Sequence, residues 1–218
     1  MCFLPSLKPS QIMTGLIFIT CPSSPHNIKR LNLAFTLLRN WEYLDGASNY
    51  YLVTSRNAYE LEVDPLNPAL VPISLEDNAW TGASISDIES YMLDVSRVDE
   101  KQRPDTDAGL FLIIDGQGVT DGTAIILEHR YEEDEDADEV GAERVTGFNK
   151  VRVPWEEVND IFVNLEIANM NFDEFCGGEE GDEDGWFEYE SIGLDLSEEN
   201  REAREVEIRR LREEGLID

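Results

Sequence analysis

Three carboxylates, Asp115, Asp121 and Glu128, flank two apolar runs at 110–114 and 123–127. Strand ends are where α/β proteins place their sites. Two such carboxylates can divide general acid and general base roles when one pKa is raised. The two aspartates also stand beside glycine, in Asp115-Gly116 and Asp121-Gly122, where aspartate is an ordinary turn residue; that reading takes precedence. A second acid set, Glu180, Asp182 and Asp184, falls at the first, third and fifth positions of a loop with Gly185 sixth. Oxygen ligands suit hard divalent cations, but position twelve is Ser191, where an EF-hand needs a bidentate glutamate. The acids are therefore compatible with weak divalent binding and incompatible with an EF-hand. Cys176 and His129 would form a nucleophile–base dyad if the fold brought them together; the plainer expectation puts Cys176 against the core and His129 at a strand exit. There is no Walker loop, G-x-S-x-G elbow or zinc-ligand spacing, and no cofactor is expected.

Charge sets what the chain can meet. Its 218 residues carry a formal net charge of -30. Residues 1–57 hold Lys8, Lys29, Arg30, Arg39 and Arg56 against Glu42 and Asp45, a net +3, which leaves −33 for the remainder. Such a body repels nucleic-acid phosphates, whose binding depends on lysine and arginine, and anionic membrane surfaces. A basic protein or peptide is the expected partner; the plain alternative is that the acids keep the chain soluble. No apolar run approaches the roughly 20 residues of a membrane span. The three cysteines, Cys2, Cys21 and Cys176, are too few and too scattered for a disulfide framework, which favours a reducing, intracellular, cytoplasmic setting. The acid-free residues 1–41 read as a strand and helix packed on the domain or as a poorly ordered extension, and are also compatible with a secretory or organelle leader. Nothing in the sequence specifies an oligomeric state.

The elements that would position these groups are set by pattern. Residues 27–41 read as a basic amphipathic helix with Ile28, Leu31, Phe35 and Leu38 on one stripe. Residues 50–54 read as a strand, and 69–74 as an extended segment held to an edge by Pro72. A helix capped by Ser84 or Ser86 runs to about residue 100, with Ile88, Tyr91, Met92 and Val95 inward; Ser86 and Glu89 have capping-box spacing. The runs 110–114 and 123–127 are buried strands too close for a helix between them. Residues 128–143 carry nine acids and read as a solvated loop. Extended structure resumes at 148–153, Pro154 opens a helix, and Asp184-Gly185 turns into a strand at 186–189. Residues 197–216 form a charged helix with Ala203, Val206, Ile208 and Leu211 on a narrow stripe.

The segment from Asn164 to Phe175, N-L-E-I-A-N-M-N-F-D-E-F, reads as a joint. Asn171 and Glu174 have the spacing of a helix cap, Phe172 and Phe175 share one helical face, and the Asn164 and Asn169 amides can tie backbone segments together. This pattern, a D-x-D-G-type turn followed by an aromatic strand, and an acidic turn before Trp80 resemble an uncharacterised family of small microbial α/β domains of unknown function. The resemblance covers about 69–190, with Asn171 where aspartate is more usual and the acidic loop at 131–141 as an insertion. It implies a fold and no activity. The expectation is one α/β or α+β domain at 50–193, a central sheet flanked by helices, with a basic extension at 1–49 and a charged C-terminal helix at 194–218. The expected function is a noncatalytic acidic interaction module; the alternatives are an enzyme using the strand-end carboxylates, with or without a metal, and a weak divalent-cation binder.

Overall fold

Strand β1 (Gly15–Ile19) is buried along its whole length. Its apolar side chains alternate between two cores: Leu16 and Phe18 feed one, Ile17 and Ile19 the other. A strand that is apolar on both faces belongs in the interior of a parallel sheet, and β1 pairs in parallel with β2 (Tyr50–Leu52) on one side and β3 (Leu110–Ile114) on the other. The computed structural model describes residues 15–41, 50–57, 70–97, 109–133, 143–167, 169–176, 181–191, 193 and 196–218. Beyond β3 come β4 (Thr123–Glu133) and β5 (Glu143–Pro154), each antiparallel to its predecessor, and then β6 (Trp186–Phe187), parallel to β5. The order is β2-β1-β3-β4-β5-β6.

Among the described residues, five helices accompany this mixed sheet: α1 (Pro25–Leu37), α2 (Ile85–Arg97), α3 (Gly116–Asp121), α4 (Val158–Glu166) and α5 (Glu198–Glu213). The architecture is a single α/β domain. On one face, α2 lays Ile88, Tyr91, Met92 and Val95 over Phe18, Phe111, Ile113, Ile125 and Leu127. On the other face, α1, α4 and the inner side of α5 cover Ile17, Leu112, Ile126 and Val151. Each such aliphatic or aromatic side chain, fully buried, contributes about 1.5–3 kcal/mol of transfer free energy.

Several expectations change. The boundary at residue 50 does not divide the fold: β1 and α1, from the stretch expected as an extension, are at its centre. Short apolar GLIFI carries no strand signal stronger than its neighbours, and only pairing on both sides gives it its place. The closing helix is likewise part of the domain. It buries Arg204, Ile208 and Leu211 and leaves Val206 exposed, so the expected stripe is rotated. A six-residue helix does fit between β3 and β4, because Asp115 caps its start and Gly122, in the left-handed region, ends it. The acidic block is strand through Glu133 and again from Glu143; residues 134–142 lie outside the described residues. Leu70 to Ser74 form no strand: Pro72 has no N–H, and the Ile73 N–H is taken by the Asn32 side chain. The α2 cap is Ser84 with Asp87, in place of Ser86 with Glu89. Pro154 opens a turn, and α4 starts four residues later.

Two buried polar side chains report on this assembly. Asn32 of α1 is 1% exposed. Its oxygen accepts from the Ile73 N–H and its amide donates to the Leu216 carbonyl, both at 2.8 Å. One amide thus joins α1, the segment before α2 and the chain after α5. Asn32→Leu leaves both backbone groups without it, and a loss of about 2–4 kcal/mol is expected, read as a lower urea midpoint at unchanged slope. Arg204 is the opposite case: it is 8% exposed, and among the described residues its Nε and Nη1 have no hydrogen-bond partner. A buried cation in that state is unfavourable. Arg204→Met is expected to stabilise the protein by about 1–4 kcal/mol; a lower melting temperature would show that the guanidinium is held by an interaction worth more than its desolvation.

Candidate functional site

In an open parallel sheet, ligands bind beyond the carboxyl ends of the strands where the chain order reverses. Here that point lies between β1 and β3, since the connection from β1 leads outward to β2 while β3 lies on the opposite side. Thr20 and Cys21 follow β1 there, and Asp115 follows β3. Of the expected carboxylates, Asp115 alone occupies the place where this architecture builds sites.

Asp115 is fully engaged. Arg152, projecting from β5, grips both carboxylate oxygens, with Nη1 on Oδ1 at 3.0 Å and Nη2 on Oδ2 at 2.7 Å. Oδ1 also accepts the Gly118 N–H at 2.6 Å, which caps α3. Arg152 donates further to the Thr123 hydroxyl at 3.3 Å. Gly118 allows the close approach: a Cβ there would lie 2.4 Å from the Thr123 carbonyl oxygen. From the other side, Arg30 of α1 donates through Nε to the Val119 carbonyl at 3.0 Å and lies over the Trp155 ring, a favourable place for a cation near a helix C-terminus. Trp155 in turn donates to the Thr123 carbonyl.

The electrostatics match that geometry. Burial pushes the Asp115 carboxyl up, but the Arg152 and Gly118 hydrogen bonds and the guanidinium charge outweigh it, and its pKa is lowered. A carboxylate held in its ionised form, with no proton to give near neutrality, is poorly matched to general acid–base work. Burial, with Asp115 adding to it, raises the Cys21 thiol to about 11, so that sulfur is no nucleophile. The crevice itself is closed by the chain. Asn78 donates to the Ile19 carbonyl at 2.8 Å, Gly82 N–H donates to the Thr20 carbonyl at 2.8 Å, and Trp80 is buried edge-on against Phe18.

The other expected groups are dispersed. Asp121 is exposed at the end of α3. Glu128 is opposite Leu110 in the ladder, at the far end of β3 from Asp115; five residues of strand put them roughly 17 Å apart. These carboxylates do not form a pair. His129 stacks near Phe148 in the core under α2, whereas Cys176 belongs to the core on the opposite face of the sheet, so there is no dyad. In the second acid set, Asp182 uses Oδ1 to accept the Asp184 and Trp186 N–H groups, which shapes the turn before β6. Glu180 lies outside the described residues. Among the described residues no group of three His, Cys, Asp or Glu side chains is placed to hold a metal ion. Also among them, no helix is long and apolar enough to cross a membrane.

Residues 68–190 match the family described as Domain of unknown function (DUF6924). The chain belongs to this family. No curated protein matches the sequence. The DUF6924 span begins between β2 and α2 and closes just after β6, so β1, α1, β2 and α5 of the sheet and its cover lie outside it. Within it falls the asparagine-rich joint. The Asn164 amide donates to the Asp160 carbonyl, its side-chain oxygen accepts from the Asn169 amide at 2.7 Å, and its carbonyl accepts the Asn169 N–H. The Glu174 carboxylate accepts the Asn171 N–H at 2.6 Å. This cap opens a single 3-10 turn, Phe172–Phe175, in place of the expected α-helix. Phe172 and Phe175 are both buried, Phe172 edge-on against Phe187.

The residues that hold the switch point closed, Arg152, Arg30 and Asn78, carry no distinctive mark in the sequence. Their one signal is in β5, where Phe148, Lys150 and Arg152 alternate with Val151 and Val153. Period-two alternation says "solvent face" for the cations. In the fold Lys150 is 6% exposed and pairs with Glu89 of α2 at 2.7 Å.

Asp115→Asn keeps a side chain able to cap α3 but removes the charge that Arg152 faces. A loss of about 1–3 kcal/mol at neutral pH is expected. Because the folded-state pKa is depressed, the ionised group's contribution is complete above the ordinary value of 3.8 and disappears as pH falls through the lower folded value. Urea midpoints of wild type and variant, measured from pH 7 to pH 2.5, should therefore converge below about pH 4; a gap that stays constant would show that the charge is not what matters.

Proposed function

We propose that this chain is a noncatalytic interaction module that presents an acidic surface to a basic protein partner. The observation that carries this reading is the distribution of charge. From Arg152 to Arg201 the sequence contains no intervening lysine, arginine or histidine, and Glu156, Asp173, Glu174, Glu183, Glu188 and Glu190 within that interval are exposed. Two cations of β5 are spent inside the fold: Arg152 on Asp115, Lys150 on Glu89. The net charge of -30 leaves the field outside negative on balance, and such a field steers oppositely charged partners and speeds their association. Support also comes from the switch point, where Asp115 is consumed by its own arginine and the crevice is covered by the segment around Asn78 and Trp80.

The test is titration of the full chain with a synthetic arginine-rich peptide between about 50 and 300 mM salt, a range over which screening of surface charge changes strongly. A saturable, stoichiometric complex is expected, weakening as salt screens the charges. Binding that never saturates, or that vanishes as simple ion exchange would by about 150 mM salt, rejects the module reading.

A further inference from the structure

An acidic surface alone gives orientation and rate, while affinity at an interface comes from a desolvated anchor surrounded by such charges. The surface beside α5 offers both. Beside the end of α1, α5 forms one wall of an open groove of about 640 Å³ lined by Arg39, Trp41, Glu199, Glu202, Ala203, Val206 and Glu207. On α5 the spacing 199, 202, 203, 206 puts these side chains on one helical stripe, next to the stripe of Arg204, Ile208 and Leu211 that faces the core. Val206 is 53% exposed.

Two carboxylates of the groove wall stand outside the ion pairs of α5. Three acids of this segment are matched within it: Glu198 with Arg201, Glu207 and Glu214 with Arg210. Glu207 is also held by Arg39 at 3.3 Å, so it belongs to the groove wall. Glu205 and Glu213 stand outside those pairs too; Glu199 and Glu202 are the ones that line the groove. They are exposed, one turn apart, and among the described residues neither has an ion-pair partner. Two unmatched carboxylates flank an exposed valine and the edge of a tryptophan.

Resting on the module reading above, we infer that this groove is the docking site for a basic segment of a partner protein, one that seats an apolar side chain against Val206, Ala203 and Trp41 and places flanking arginines or lysines on Glu199 and Glu202. Charge complementarity selects this occupant. A second copy of the chain would set the same carboxylates against each other and against a strongly negative body.

The experiment uses the full chain and two fluorescent helical peptides of equal positive charge, one with leucines at every third or fourth position among arginines and one with serines in their place. Anisotropy is read at about 150 mM salt, where long-range attraction is largely screened. The leucine peptide is expected to bind one to one, and the serine peptide at least about tenfold more weakly, since a tenfold change corresponds to about 1.4 kcal/mol, within reach of one buried apolar side chain. The exposed-site variants Val206→Ser and Glu199→Gln/Glu202→Gln, with circular dichroism unchanged, are each expected to weaken the leucine peptide by about five- to tenfold. Tight binding unaffected by these variants but lost on substituting Glu183, Glu188 and Glu190 overturns the groove and leaves the module reading standing. No saturable binding of either peptide overturns both. Sedimentation showing a concentration-dependent dimer that Val206→Ser abolishes assigns the groove to self-association and overturns the inference.

Discussion

Strand β1 must be paired on both sides and covered on both faces, and most of the architecture satisfies that requirement. Its five residues are buried throughout, with parallel partners β2 and β3. A parallel neighbour cannot be reached by a tight turn, so each pairing needs a crossover through a helix. The chain supplies α1 between β1 and β2, and α2 between β2 and β3. Those helices fall on opposite faces and create the two cores. With α1 in place, Asn32 can tie the segment before α2 and the chain after α5 to the same helix. Both ends of the described chain are thus committed to one domain by the demands of a single strand.

The same topology creates a switch point, and the fate of that point shapes the functional reading. Doubly wound sheets leave a crevice between diverging connections. In this DUF6924 member Arg152 crosses from β5 to Asp115, Arg30 reaches α3 from α1, and Asn78 and Gly82 satisfy the carbonyls at the end of β1. The groups that would meet a ligand there already have partners within the chain. Breaking a partly buried pair of this kind is costly because the survivor is left without its counter-charge, which makes the closure a stable state of the fold.

Charge is then sorted by location. Lys150 and Arg152 take Glu89 and Asp115 as counter-ions within the fold. Glu156, Asp173, Glu183, Glu188 and Glu190 stay in solvent, where mutual repulsion is screened within about 8–10 Å. The groove beside α5 is where this outward negative charge adjoins apolar surface instead of water alone. Lys150 and Arg152, paired within the fold, and the acids left in solvent together give a strongly acidic chain a negative exterior.

Much of this was legible from local pattern. The runs at 110–114 and 123–127, the inward face of α2 and the phenylalanine pegs at 172 and 175 are strings of apolar residues whose spacing matches their element, so burial could be read directly. The short helix between β3 and β4, the strand through the acidic block, and the central position of β1 in the sheet were not legible. Each depends on a partner far away in sequence: Arg152 for Asp115, β5 for the acids of β4, and β2 with β3 for β1. By itself the sequence determined the class of fold, the negative field and the local joints, since these depend on composition and on contacts within a few residues. Tertiary structure alone decided that Asp115 is a partly buried counter-ion, that Glu128 is a strand length away from it, and that Glu199 and Glu202 border a groove, because distance between side chains is set by how strands pair and helices pack, and neither is written in spacing along the chain.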